Sequence, residues 1–133
     1  MDPHAPDYFA DVIQLTRTTF TNVEVEIDAT PARALLRIQA QYGPYRIFIT
    51  EVSDDSGRKY RYYVLRGDKV EVGFDNSPDP RALRLKYGQI GEEHIGESIP
   101  HLHRENKTQL LLTEEMTYAD FVHWLNQQLP LQG

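Results

Sequence analysis

The side chains suited to acid–base or metal chemistry fall in two short runs. Pro100-His101-Leu102-His103-Arg104, with His94 upstream, sets two imidazoles two positions apart. If residues 101–103 are extended, side chains alternate and both imidazoles point to one face. Such a pair can serve as acid and base near neutral pH, or offer two nitrogens to a metal. The chain has no cysteine, so a metal would need a further histidine or carboxylate. No spacing singles one out, and neither a metal nor a cofactor is expected. The plain alternative is two surface histidines in a loop. The second run, Phe74-Asp75-Asn76-Ser77-Pro78, follows a strand-like segment. Asp and Asn beside Pro build turns by bonding their own backbone; here they could also display a carboxylate and an amide at a sheet end.

A third constellation interleaves cations and aromatics: Arg58, Lys59, Arg61 and Arg66 with Tyr60, Tyr62 and Tyr63. On one strand these types can hold phosphates and stack bases. An ordinary strand, aromatics inward and cations outward, gives the same pattern. No P-loop, dinucleotide fingerprint, HExxH or GxSxG motif occurs.

The elements that must position these groups read as follows. Over 7–19, Tyr8, Val12, Leu15 and Phe9, Ile13, Thr16 recur at helical spacing, with Asp7 as an N-cap after Pro6. The period then changes to two. Val23, Val25 and Ile27 alternate with acids, and strands are expected at 34–41, 45–52, 59–65 and 70–75. Their links are short, which suits hairpins and excludes parallel crossovers. The fold class expected is α+β: one antiparallel meander of about five to six strands, covered by an N-terminal and a C-terminal helix. The latter opens at Thr117 with Asp120 three residues on, carries Phe121, Leu125 and Leu129 as its stripe, and ends at Pro130. Residues 76–107 are polar, rich in Pro and Gly and expected to be irregular, the kind of segment where sites are built.

A chain of 133 residues fits one domain, 1–133. Its 40% hydrophobic and 26% charged residues set it apart from a disordered chain. No apolar run approaches the ~20 residues of a membrane span, and Met1-Asp2-Pro3-His4 lacks the form of a secretory leader. A cytoplasmic protein without a membrane partner is expected. The net charge of −6 argues against nonspecific coating of nucleic acid. It is unevenly spread: residues 1–57 hold 4 basic and 9 acidic side chains, residues 58–107 hold 10 and 8, and residues 108–133 hold none and 3. The middle of the chain can therefore present a basic surface inside an acidic protein.

Taken in order, the strand running into Glu51, the aromatic strand at 60–64, the hairpin, the Phe74-Asp75-Asn76-Ser77-Pro78 turn and Pro100-His101-Leu102-His103 form a series. The series resembles the TumE-type toxins of bacterial and archaeal toxin–antitoxin pairs. That family's pattern is an aromatic-Asp-Asn-Ala-Pro-His-His turn followed by Pro-His-His-x-His. The resemblance covers roughly residues 33–125. Asp75, Asn76, Pro78, Pro100, His101 and His103 match, whereas Asp79-Pro80 stands where the family has His-His and Leu102 where it has a middle histidine. The resemblance implies a small toxin neutralised by a cognate antitoxin protein and acting on RNA.

The leading expectation is a ribonuclease-like toxin. His101 or His103 would be the general base or acid, and Asp75 and Asn76 would orient a histidine or the substrate. Arg61, Arg84 and Lys86, with Arg104 beside the histidines, would hold the scissile phosphate. The two segments, 75–76 and 101–103, are expected to meet at one end of the sheet. The competing expectation is a non-catalytic module that docks a protein partner through a sheet edge or apolar patch.

Overall fold

The computed structural model describes residues 5–88 and 96–131, Ala5 in its backbone alone; His94 lies outside the described residues. Helix α1 (Ala5–Thr19) leads into strands β1 (Thr21–Ala29), β2 (Arg33–Tyr42), β3 (Tyr45–Asp54), β4 (Gly57–Arg66) and β5 (Lys69–Asp75). Helix α2 (Pro80–Tyr87), strands β6 (His101–Arg104) and β7 (Gln109–Leu112), and helix α3 (Tyr118–Gln128) follow. The seven strands form one sheet in chain order, and every neighbouring pair is antiparallel. The fold is α+β, with α1 and α3 at its ends, as the patterning predicts. Among the described residues, no helix is long and apolar enough to cross a membrane.

Hairpin register follows from the turns. Tyr42 pairs with Tyr45, leaving Gly43-Pro44 as a two-residue turn. Gly43 has φ 55°, a left-handed value that such turns demand and that glycine adopts without a steric penalty. Alternation then sends Leu36, Ile38, Ile47, Ile49, Tyr60, Tyr62, Val64, Val72 and Phe74 to one face, where all are buried. Phe9 and Val12 of α1 and Phe121 and Leu125 of α3 close over them. Phe121 and Leu125 are wholly buried, whereas Leu129 is only partly covered. The capping box at Thr117 and Asp120 is formed in both directions.

Three features differ from the sequence expectation. Among the described residues the sheet has seven strands, not five to six. The additional β6 and β7 have four residues each, too short to establish a period, and β6 buries histidines on the face where alternation would suggest solvent. The stretch 76–107 contains α2, which buries only Ala82 and Leu83 and leaves Leu85 exposed, so no apolar stripe announces it. Its signals are local: Asp79 caps it by accepting from the Arg81 amide, Pro80 follows, and Gly88 ends it in a left-handed conformation. Finally, α1 begins at Ala5, so Asp7 lies in its first turn instead of capping it. Pro6 is tolerated there because first-turn amides have no helical partner, and the Asp7 carboxylate complements the helix dipole.

The second face of the sheet is divided. Over β6 and β7, α2 packs through Ala82 and Leu83 against Ile99 and Leu110. Over β2, β3 and β4, Arg37, Gln39, Arg46, Lys59 and Arg61 are open to solvent.

Candidate functional site: a buried carboxylate and two imidazoles

Pairing of β5 with β6 sets Asp75 directly opposite His101, and Gly73 opposite His103. Positions 75, 101 and 103 share the second face, under α2. All three side chains are buried, with 3%, 1% and 4% of their surfaces exposed. The imidazoles meet edge to face, ring centroids 4.9 Å apart.

The hydrogen bonds fix the protons. His101 Nδ1 lies 2.6 Å from the Ile99 carbonyl oxygen. A carbonyl can only accept, so Nδ1 carries the hydrogen and Nε2 of the neutral ring holds a bare lone pair. That Nε2 is 3.9 Å from Asp79 Oδ2. His103 Nδ1 is 3.4 Å from Arg81 Nη2; a guanidinium only donates, so here Nδ1 accepts and the hydrogen resides on Nε2. Burial, then the neighbouring His101, hold His103 below the usual histidine range. Asp75 Oδ1 accepts from the Ser77 amide at 2.6 Å and from the Ser77 hydroxyl. Its Oδ2 accepts from the Tyr63 hydroxyl at 3.3 Å and faces Arg61 Nε at 3.7 Å. One donor atom from each of Asp75, His101 and His103 can be chosen so that all lie within 4.8 Å of one another. These three could hold a metal ion together.

Of the other residues expected from sequence, Arg61 reaches this site, 55% exposed at the side chain and stacked 5.2 Å from the Tyr63 ring centroid. Asn76 follows Asp75 but points elsewhere. Its Oδ1 accepts from the Tyr60 amide at 3.0 Å, and its Nδ2 donates to the Arg58 carbonyl and to Glu115. It extends the β4–β5 edge and ties down the segment before α3. Arg84 and Lys86 are exposed on α2, Lys86 standing 3.7 Å from Glu97. Arg104 follows His103, so alternation takes it to the opposite face, where it lines a cavity of about 200 Å³ with Glu71, Trp124 and Gln128. Sequence reasoning gave Tyr63 a stacking role alone, gave Ser77 and Asp79 no role in the site, and missed Arg81. An Asp-Pro pair read as helix cap and first turn would have located α2, and with it Asp79 and Arg81.

The cation–aromatic strand is split by its own pleat. Tyr60 and Tyr62 enter the core, while Lys59, Arg61 and Tyr63 lie on the second face. There Arg46 sits 5.0 Å from the Phe48 ring centroid, and Lys107 sits 5.0 Å from that of Tyr63. Arg58 turns the other way. Its Nε and Nη2 hold the buried Glu51 carboxylate at 3.0 and 3.1 Å, and its Nη2 also reaches the Met116 carbonyl at 2.9 Å. Tyr8 and Tyr62 donate to the same carboxylate. This buried network joins α1, β3 and β4 to the approach to α3.

Comparison with known proteins returns no matching family model, no matching curated protein and no matching solved structure.

Proposed function

We propose that this chain is a TumE-type toxin that cleaves RNA in the cytoplasm and is held in check by a cognate antitoxin. The observation that carries the reading is the meeting of Asp75, His101 and His103 beside a basic, aromatic sheet face. Cleavage of RNA needs a nitrogen free to take the ribose 2′-hydroxyl proton, and a second group to protonate the departing 5′-oxygen. His101 Nε2 has the lone pair to take the proton, and His103 serves as the acid once it has bound a second proton, a form that its burial disfavours. Asp75 sets a carboxylate beside both imidazoles and works against the burial that lowers His103. Arg61 and Arg46, over Tyr63 and Phe48, would take phosphates and bases on the open half of the sheet. All three groups are buried, so substrate reaches the imidazoles only if the surrounding chain moves.

The test is incubation of the purified chain with end-labelled single-stranded RNA, beside H101A and H103A and a thermal melt of each. Cleavage lost with an unchanged melt supports the reading. Wild-type protein that neither cleaves RNA nor slows growth, at expression confirmed by blot, sinks it.

A second reading is favoured by one observation. Strand β7 is a sheet edge, and Leu111 and Leu112 on it are 49% and 41% exposed. Apolar edges of this kind recruit partner strands. A chain that captures a partner through β7 and retains full function in H101A and H103A is a docking module.

A further inference from the structure

The convergence of three donor groups goes beyond what proton transfer requires. Asp75 and His101 face each other across paired strands, and His103 completes the group from the same face of β6. Their donor atoms lie within 4.8 Å of one another, and all three side chains are buried. Ligand atoms on one ion, at bonds of roughly 2.1 Å, stand closer together than this; side-chain rotations of about an ångström would close the gap.

The proton arrangement is that of a prepared ligand. His101 donates Nδ1–H to the Ile99 carbonyl. This is the outer bond by which metal-binding histidines fix their tautomer and present the other nitrogen. His103 presents a bare Nδ1 to Arg81 at 3.4 Å, the outer limit of a hydrogen bond, so an ion displaces only a weak donor. Among the described residues, the partners of Asp75 Oδ2 are long, at 3.3 and 3.7 Å, while Ser77 orients the carboxylate through Oδ1. A second carboxylate, Asp79, stands 3.9 Å from His101 Nε2.

We propose that Asp75, His101 and His103 bind one divalent first-row metal ion, with Asp79 within reach as a fourth ligand. Two imidazoles, carboxylate oxygens and no sulfur suit zinc, manganese or ferrous iron. The role of the ion rests on the reading of this cluster as the RNA-cleaving centre: with His101 Nε2 engaged as a ligand, a metal-bound hydroxide, formed when the bound water loses its proton to solvent, would take the 2′-hydroxyl proton in place of the imidazole. Binding itself does not depend on that reading.

The experiment titrates chelator-treated, dialysed chain with Co²⁺, following visible absorption, and with Zn²⁺ by calorimetry. The expected result is one ion per chain with saturable cobalt absorption and a rise in melting temperature with Zn²⁺. Affinity should fall at least about tenfold in H101Q and D75N. It should be unchanged in H123Q, which alters an exposed histidine on α3. Circular dichroism checks the fold of each variant, and the wild-type titration decides the matter if a variant fails to fold. No saturable binding by wild type, or binding lost in H123Q but kept in H101Q and D75N, overturns the site. RNA cleavage without metal binding would overturn the site and leave the ribonuclease reading intact. Metal binding without cleavage would do the reverse.

Discussion

Tyr63 lies across Gly73: a Cβ placed on Gly73 would overlap Cδ1 and Cε1 of the Tyr63 ring. The two residues are paired on neighbouring strands, and the missing side chain lets the ring lie flat, with its hydroxyl 3.3 Å from Asp75 Oδ2. Gly73→Ala should therefore displace Tyr63 and destabilise the chain by about 1–3 kcal/mol. In a Tyr63→Ala background most of that cost should vanish, because the overlap is gone. Urea melts of the two single variants and the double variant test this. Additive effects would show that Gly73 is needed for something other than the ring.

Arg61 and Arg104 make a matched pair of cations on opposite faces. If RNA lies on the second face, Arg61→Gln should weaken binding and lower the salt slope of log Kd by about one. Arg104→Gln, beside Trp124 on the other face, should change neither. Binding isotherms over a salt series give the answer. Equal losses in both variants would remove the face assignment.

The Glu51–Arg58 pair has its carboxylate buried and shared among Arg58, Tyr8 and Tyr62. Glu51→Ala removes the acceptor shared by Arg58 and two hydroxyls, while Arg58 keeps Glu115 and the Met116 carbonyl, and should cost about 1–3 kcal/mol. A loss below about 1 kcal/mol in chemical denaturation would show that water reaches the site freely.

The same network sets an alkaline limit. Burial first, then Glu51, push Tyr8 from 10.0 up to about 12, and burial drives Tyr62 and Tyr118 upward as well. The unfolded chain ionises these phenols near 10, while the folded chain keeps them neutral. Their contribution to stability is therefore fully present below pH 10 and is lost as pH rises towards 12. Phenolate absorbance should rise in two stages, exposed tyrosines first and the buried ones together with unfolding. Ionisation of all eight tyrosines in one step, with native circular dichroism retained, would contradict the assignment.

The meander and its helical cover are legible in the order of residues alone. Period-two alternation needs only local information, and turns such as Gly43-Pro44 and Gly67-Asp68 set each hairpin without reference to distant residues. The stripe Phe121–Leu125 and the Thr117 capping box are equally local. The alternation of His101, Leu102 and His103 likewise indicated that both imidazoles share a face once extended. What that face meets depends on long-range pairing. Asp75 precedes His101 by 26 residues, and no periodic signal records that β5 pairs with β6 in the register that opposes them. Helix α2 packs its short apolar surface on Ile99 and Leu110, and its cap and first turn bring Asp79 and Arg81 to the imidazoles. Asn76 and Arg104 illustrate the same limit. Each is adjacent in sequence to a residue of the cluster, yet a strand's pleat and the end of a ladder send their side chains elsewhere, because neighbouring side chains on a strand point in opposite directions.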